Sequence, residues 1–144
     1  MAGKLVGFLV LVLTAVPSAG RAQAAPAQTA PTEAPAEQPG ITRTTLQQEN
    51  LSTPGREAIQ VRVDFAPGAA SPRHKHPGEE IVYVLAGTLQ YRIEGQPTAI
   101  LKAGDVLFIP AGVVHAAVNT GFDTASELAT YVVEKGKPLV VPVK

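Results

Sequence analysis

The chain reads as an all-β domain, a sandwich or barrel built from seven or more short strands. Three observations predict this: apolar residues recur at period two in several short runs, turn residues punctuate those runs at close intervals, and no long helical stripe interrupts them. At 144 residues, with 13 Gly, 13 Pro, 45% apolar and 17% charged residues, the composition fits one globular domain with non-globular extensions and excludes two large domains.

Taken in order, residues 58–65 alternate Ile59, Val61, Val63 and Phe65 with Gln60, Arg62 and Asp64, the signature of a half-buried strand, and Ala66-Pro67-Gly68 ends it. Residues 81–86 and 88–94 are β-rich runs on either side of Gly87, and their adjacency predicts a hairpin. Shorter runs follow at 98–101, 105–109, 113–119 and 128–133, separated by Ala103-Gly104, Pro110-Ala111-Gly112 and residues 121–126. Residues 44–50 have no sustained apolar stripe and are expected to form at most one helical turn.

Ahead of the domain, Lys4 precedes an apolar run at 5–16 that Pro17, Ser18, Gly20 and Arg21 stop well short of the roughly 20 residues a membrane span needs. Ala22-Gln23-Ala24 then offers the small-x-small pattern that signal peptidase accepts, so residues 1–24 are expected to be a signal peptide cleaved after Ala24. The mature chain would be periplasmic or secreted, with no membrane anchor and a formal charge of −2. Residues 25–40 are rich in Pro and Ala and hold no large apolar side chain, which predicts a flexible tether before a folded domain at 41–144. Twelve basic residues balance twelve acidic ones without long runs of either sign, so the electrostatic footprint of a nucleic-acid binder is missing. Cysteine is absent, which removes disulfides, thiolate metal sites and cysteine nucleophiles.

Chemistry concentrates on the three histidines, His74, His76 and His115. On an extended strand His74 and His76 point to the same face, and Glu80 returns beside them after Pro77-Gly78. With His115 from a distant strand they form an N₃O set suited to one divalent first-row ion, with coordination positions left open. Ligand types alone leave Fe, Mn, Ni, Cu and Zn as candidates. Strand alternation lets only one of Glu79 and Glu80 join the histidines; spacing selects Glu80 and leaves Glu79 to solvent. Around them Val82, Tyr83, Val84, Tyr91, Ile93 and Phe108 are candidate pocket-lining residues, and Arg62, Arg73 and Arg92 are candidate anion-binding cations. With all three histidines engaged, no Ser-His-Asp set is credible.

Gly68, His74-x-His76, Glu80 and Gly87 follow one another with five, three and six intervening residues, and Gly104, Pro110-x-Gly112, His115 and Asn119 with five, two and three. These two series match both motifs of the cupin superfamily at every position, and the chain most resembles short single-domain bacterial cupins. The resemblance spans residues 58–133. It implies a double-stranded β-helix, or jelly-roll, barrel with the metal in its mouth, held by His74, His76, Glu80 and His115. Asn119 is expected to bond at a strand end, since its neutral amide is a weaker donor to a metal than these four groups. Among quercetinase-like members the resemblance implies a dioxygenase-type oxidoreductase acting on a small organic molecule, with Glu80 both ligand and proton acceptor. Cupins also include non-catalytic proteins that hold a metal or small ligand, and fold does not decide between the two. Small jelly rolls often cover a sheet edge by self-association, which leaves a homodimer open.

Overall fold

The computed structural model describes Gly3 and residues 38–144. The signal peptide expected at 1–24, Gly3 apart, and the tether expected at 25–40, its last three residues apart, lie outside the described residues. Pro39 and Gly40 form a turn in which the Ile41 amide donates to the Gln38 carbonyl at 3.0 Å, and the first strand begins there.

Ten strands follow: β1 (Ile41–Asn50), β2 (Arg56–Phe65), β3 (His74–Lys75), β4 (Gly78–Ala86), β5 (Thr88–Ile93), β6 (Ala99–Lys102), β7 (Val106–Ile109), β8 (His115–Asn119), β9 (Ala125–Glu134) and β10 (Val141–Pro142). They form two five-stranded sheets, β1-β2-β9-β4-β7 and β10-β3-β8-β5-β6, with every pairing antiparallel. This is the all-β jelly roll. Val61, Val63 and Phe65 from β2, Val82 and Val84 from β4 and Leu89 from β5 are buried between the layers. Their period-two spacing places them on the inner faces while Arg62, Tyr83 and Arg92 point out.

Two expectations are corrected. Residues 44–50 are not a helical turn but most of β1, paired along β2 with a bulge between Thr45 and Gln47. As an edge strand it is exposed over most of its length, so it carries polar residues on both faces and loses the alternation that reveals a strand. Nor do residues 81–86 and 88–94 form a hairpin. β4 pairs with β7 and β9 in the first sheet, whereas β5 pairs with β6 and β8 in the second. Gly87 carries the chain across the corner at a φ of 76°, and a Cβ there would lie 2.7 Å from the Cα of Ala125. Only glycine satisfies both the positive φ and the close approach.

Candidate metal centre

The pairing of β3 with β8 sets His74 directly opposite His115, bringing their ring centroids to 4.4 Å. His76 follows as the chain leaves β3, with its ring 4.9 Å from His74 and 5.1 Å from His115. Glu80 arrives from the other sheet. Two residues before it, Gly78 packs so tightly on β9 that a Cβ would sit 2.1 Å from the Val132 carbonyl oxygen, and glycine lets β4 approach there. Alternation then turns Glu80 inward and Glu79 outward, where Glu79 pairs with Arg56 at 3.7 Å.

Each imidazole is fixed by a bond from its Nδ1 to a backbone carbonyl. His74 donates to Pro72 at 2.8 Å, His76 to Leu139 at 2.6 Å and His115 to Val113 at 3.0 Å. With Nδ1 carrying the proton, each neutral ring presents a lone pair at Nε2, the tautomer a metal ligand requires. Ligand atoms of the three rings lie within 4.8 Å of one another. Glu80 Oε2 lies 3.2 Å from His76 Nε2 and 3.0 Å from His115 Nε2. All four side chains are buried, and neither His76 Nε2 nor Glu80 Oε2 has a hydrogen-bond partner. Buried polar atoms left without partners are costly, and a cation between them would satisfy both. The three histidines could therefore hold a metal ion, and Glu80 adds a negative oxygen on the same spot.

Burial pulls the His74 imidazole down to about 4, which keeps that ring neutral across the physiological range. For Glu80 burial acts upward, but the nearby His115 and His76 rings outweigh it and hold the carboxyl below its usual range. The same contact acts in reverse on His115: burial would lower its pKa, and the Glu80 carboxylate raises it.

These side chains open on a small, partly open cavity whose wall includes Ser71, Tyr91, Arg43, Glu127 and Tyr131. The Tyr91 hydroxyl donates to Glu127 Oε2 at 2.5 Å, and the Tyr131 ring lies 4.7 Å from that of His76. Burial, reinforced by the charge of Glu80, raises the Glu127 carboxyl to about 8. Of the pocket-lining candidates, Tyr91 lines the cavity, while Val82, Val84 and Ile93 belong to the core. Tyr83 and Phe108 are corrected: both point outward and are exposed. The three candidate cations face away as well, Arg62 paired with Asp64, Arg73 near Glu94 and Arg92 exposed. Asn119 bonds at the end of β8, donating to the Phe65 and Asp123 carbonyls and accepting from the Gly121 amide.

Sequence reasoning did not single out Arg43, Glu127 or Tyr131. Arg43 sits in the strand mistaken for a helical turn. Glu127 lies one residue before the run read as the last strand, although alternation extended backwards from Tyr131 and Ala129 would have turned it inward.

A family profile for a cupin domain matches residues 61–133. Germin-like protein subfamily 2 member 1 of Arabidopsis thaliana is 37% identical over 106 residues, covering 65% of this chain and 48% of that protein. The dimethylsulfoniopropionate lyase DddQ of Ruegeria pomeroyi is 45% identical over 61 residues, covering 42% and 30%. The chain thus spans about half the length, or less, of these curated relatives. Among solved structures, an oxalate oxidase in complex with the substrate analogue glycolate superimposes with a TM-score of 0.60 at 28% identity, covering 81% of this chain and 60% of that one. The DddQ structure gives 0.55 at 30% identity, covering 60% and 43%. With a matching profile across half of its length on a two-sheet jelly roll, the chain belongs to the cupin family.

Proposed function

We propose that the protein is an exported metal-dependent enzyme, a dioxygenase-type oxidoreductase for a small organic substrate, with one divalent transition metal ion held by His74, His76, Glu80 and His115. One observation carries the reading: three imidazoles locked in the Nδ1–H form converge with a carboxylate on a buried point where His76 Nε2 and Glu80 Oε2 have no other partner. When bound, Fe, Mn, Ni, Cu or Zn supplies Lewis acidity and open positions for a substrate oxygen. The protein does the rest. Glu80, with Oε2 beside the His76 and His115 rings, is the residue placed to accept a substrate proton. The cavity is small, which limits it to small molecules.

Export rests on the apolar run at 5–16 and on Ala22-Gln23-Ala24, and N-terminal sequencing of exported protein should find Ala25 first. A homodimer belongs to the same reading, since β7 ends the first sheet and carries the exposed Val106 and Phe108.

Oxygen uptake by the metal-loaded protein, with flavonols, small diketones and catechols as substrates, tests the activity. Consumption of dioxygen with substrate is expected. Tight metal binding without any turnover would make the protein a binding module instead. The 45% identity to a dimethylsulfoniopropionate lyase favours a second reading, proton abstraction and elimination without oxygen, which product formation under anaerobic conditions would reveal.

A further inference from the structure

The inner face of β1 is short. Only Ile41 and Arg43 turn toward the interior before the strand runs out into solvent, and Arg43 lies opposite the buried Val63 of β2. Arg43 is half-buried at this inward position, and a partly desolvated guanidinium is usually met by a carboxylate. Here its Nη2 donates to the neutral Gln38 Oε1 at 3.0 Å, and among the described residues Arg43 forms no ion pair. It lines the same cavity as the three histidines and Glu80, and it is the only lysine or arginine in that wall.

Glu127 is the acidic group on the Arg43 side of the cavity, and its carboxylate oxygen is occupied by the Tyr91 hydroxyl. Among the described residues Glu127 forms no ion pair with Arg43, which leaves the guanidinium free to meet a ligand. At the other end of the cavity, a divalent ion held by three neutral imidazoles and one carboxylate would carry a net positive charge. Both ends of one small cavity therefore favour an anion, and a guanidinium can offer a carboxylate two parallel donors.

We infer that Arg43 is the anchor for the carboxylate of a small organic acid, one whose remaining oxygen donor faces the histidine cluster. The inference rests on the metal-centre reading for the second contact but not for the first, since Arg43 and the cavity are in place without an ion. It narrows the substrate class to small carboxylates and gives β1, outside both cupin motifs, a part in specificity.

The test is calorimetric titration of the full-length protein, metal-loaded and metal-stripped, with lactate and malonate against lactamide and malonamide, which match them in shape without the charge. The loaded protein should bind the acids about 10- to 100-fold more tightly than the amides. Arg43→Gln should abolish most of that preference without changing amide affinity, and Arg43→Lys should retain part of it, because a point charge remains without the planar fork. Thermal melting and metal content of each variant guard against a folding defect. Equal binding of acids and amides, no binding of either acid, or a preference indifferent to Arg43 would overturn the inference, even with metal content intact. If instead the protein takes up no metal but the stripped form shows an Arg43-dependent preference for the acids, the metal-centre reading falls and the anchor stands.

Discussion

Each face of β4 carries residues that the usual polarity of a half-buried strand would place on the other. Inward, beneath Val82 and Val84, Glu80 joins a buried cluster of three histidines, and the neighbouring β9 adds Glu127. Outward, the same strand presents Ile81, Tyr83 and Leu85, and β7 adds Val106 and Phe108, all of them exposed. Burying ionisable groups and exposing apolar ones both oppose stability, so neither arrangement is explained by folding alone. The inner face fits the proposed metal site, whose ligands are buried. The outer face is an apolar surface of the kind associated with contact between proteins.

The largest effect that would break this contrast lies on the inner face. His76→Ala should lower affinity for a divalent ion by more than about 100-fold, since a removed ligand costs at least as much as a removed supporting partner. Competition titration measures it, and circular dichroism should still show the β fold. Glu80→Gln keeps an oxygen donor without the charge and should weaken binding by about 10- to 100-fold and remove most turnover, whereas Glu79→Gln, outside and paired with Arg56, should change neither appreciably. A larger effect from Glu79 would mean that the inward register of β4 is off by one residue.

Stability sharpens the comparison on neighbouring residues. Val82→Ala removes fully buried methyl groups and should cost about 2 kcal/mol in denaturant unfolding, while Phe108→Ser on the exposed face should stay within about 0.5 kcal/mol in the monomer.

A further contrast concerns pH. Burial first, and the charge of Glu80 second, raise the Glu127 carboxyl from its ordinary 4.5 to about 8. The folded state therefore holds a proton that the unfolded chain has released. The stability this group contributes is fully present below 4.5 and is lost as pH climbs toward 8. Glu127→Gln removes the titration, so the melting temperature of the metal-stripped variant should decline less over that window than that of the parent.

What was legible in the amino-acid sequence follows from where period-two alternation survives. β2 and β4 have one buried and one outward face, so alternation allowed only one of Glu79 and Glu80 to turn inward, and motif spacing selected Glu80. The three histidines stood out because both motifs place them at fixed distances from turn glycines. β1 was illegible because an edge strand need not alternate, and Arg43 was lost with it. Sequence also cannot say which sheet a strand joins: Gly87 reads equally as a hairpin turn or as the corner between layers, and only the pairing of β4 with β7 and β9 and of β5 with β6 and β8 decides it. Tyr83 and Phe108 were assigned to the pocket because aromatic residues favour interiors, while the register of β4 and β7 sends both outside.

X-ray absorption at the metal edge of the loaded full-length protein tests the central claim most directly. Three imidazole nitrogens at about 2.0–2.2 Å with at least one oxygen are predicted in the first shell, falling to two imidazoles in His76→Ala at matched occupancy. A first shell of oxygens without imidazole, or one unchanged by His76→Ala, would contradict it.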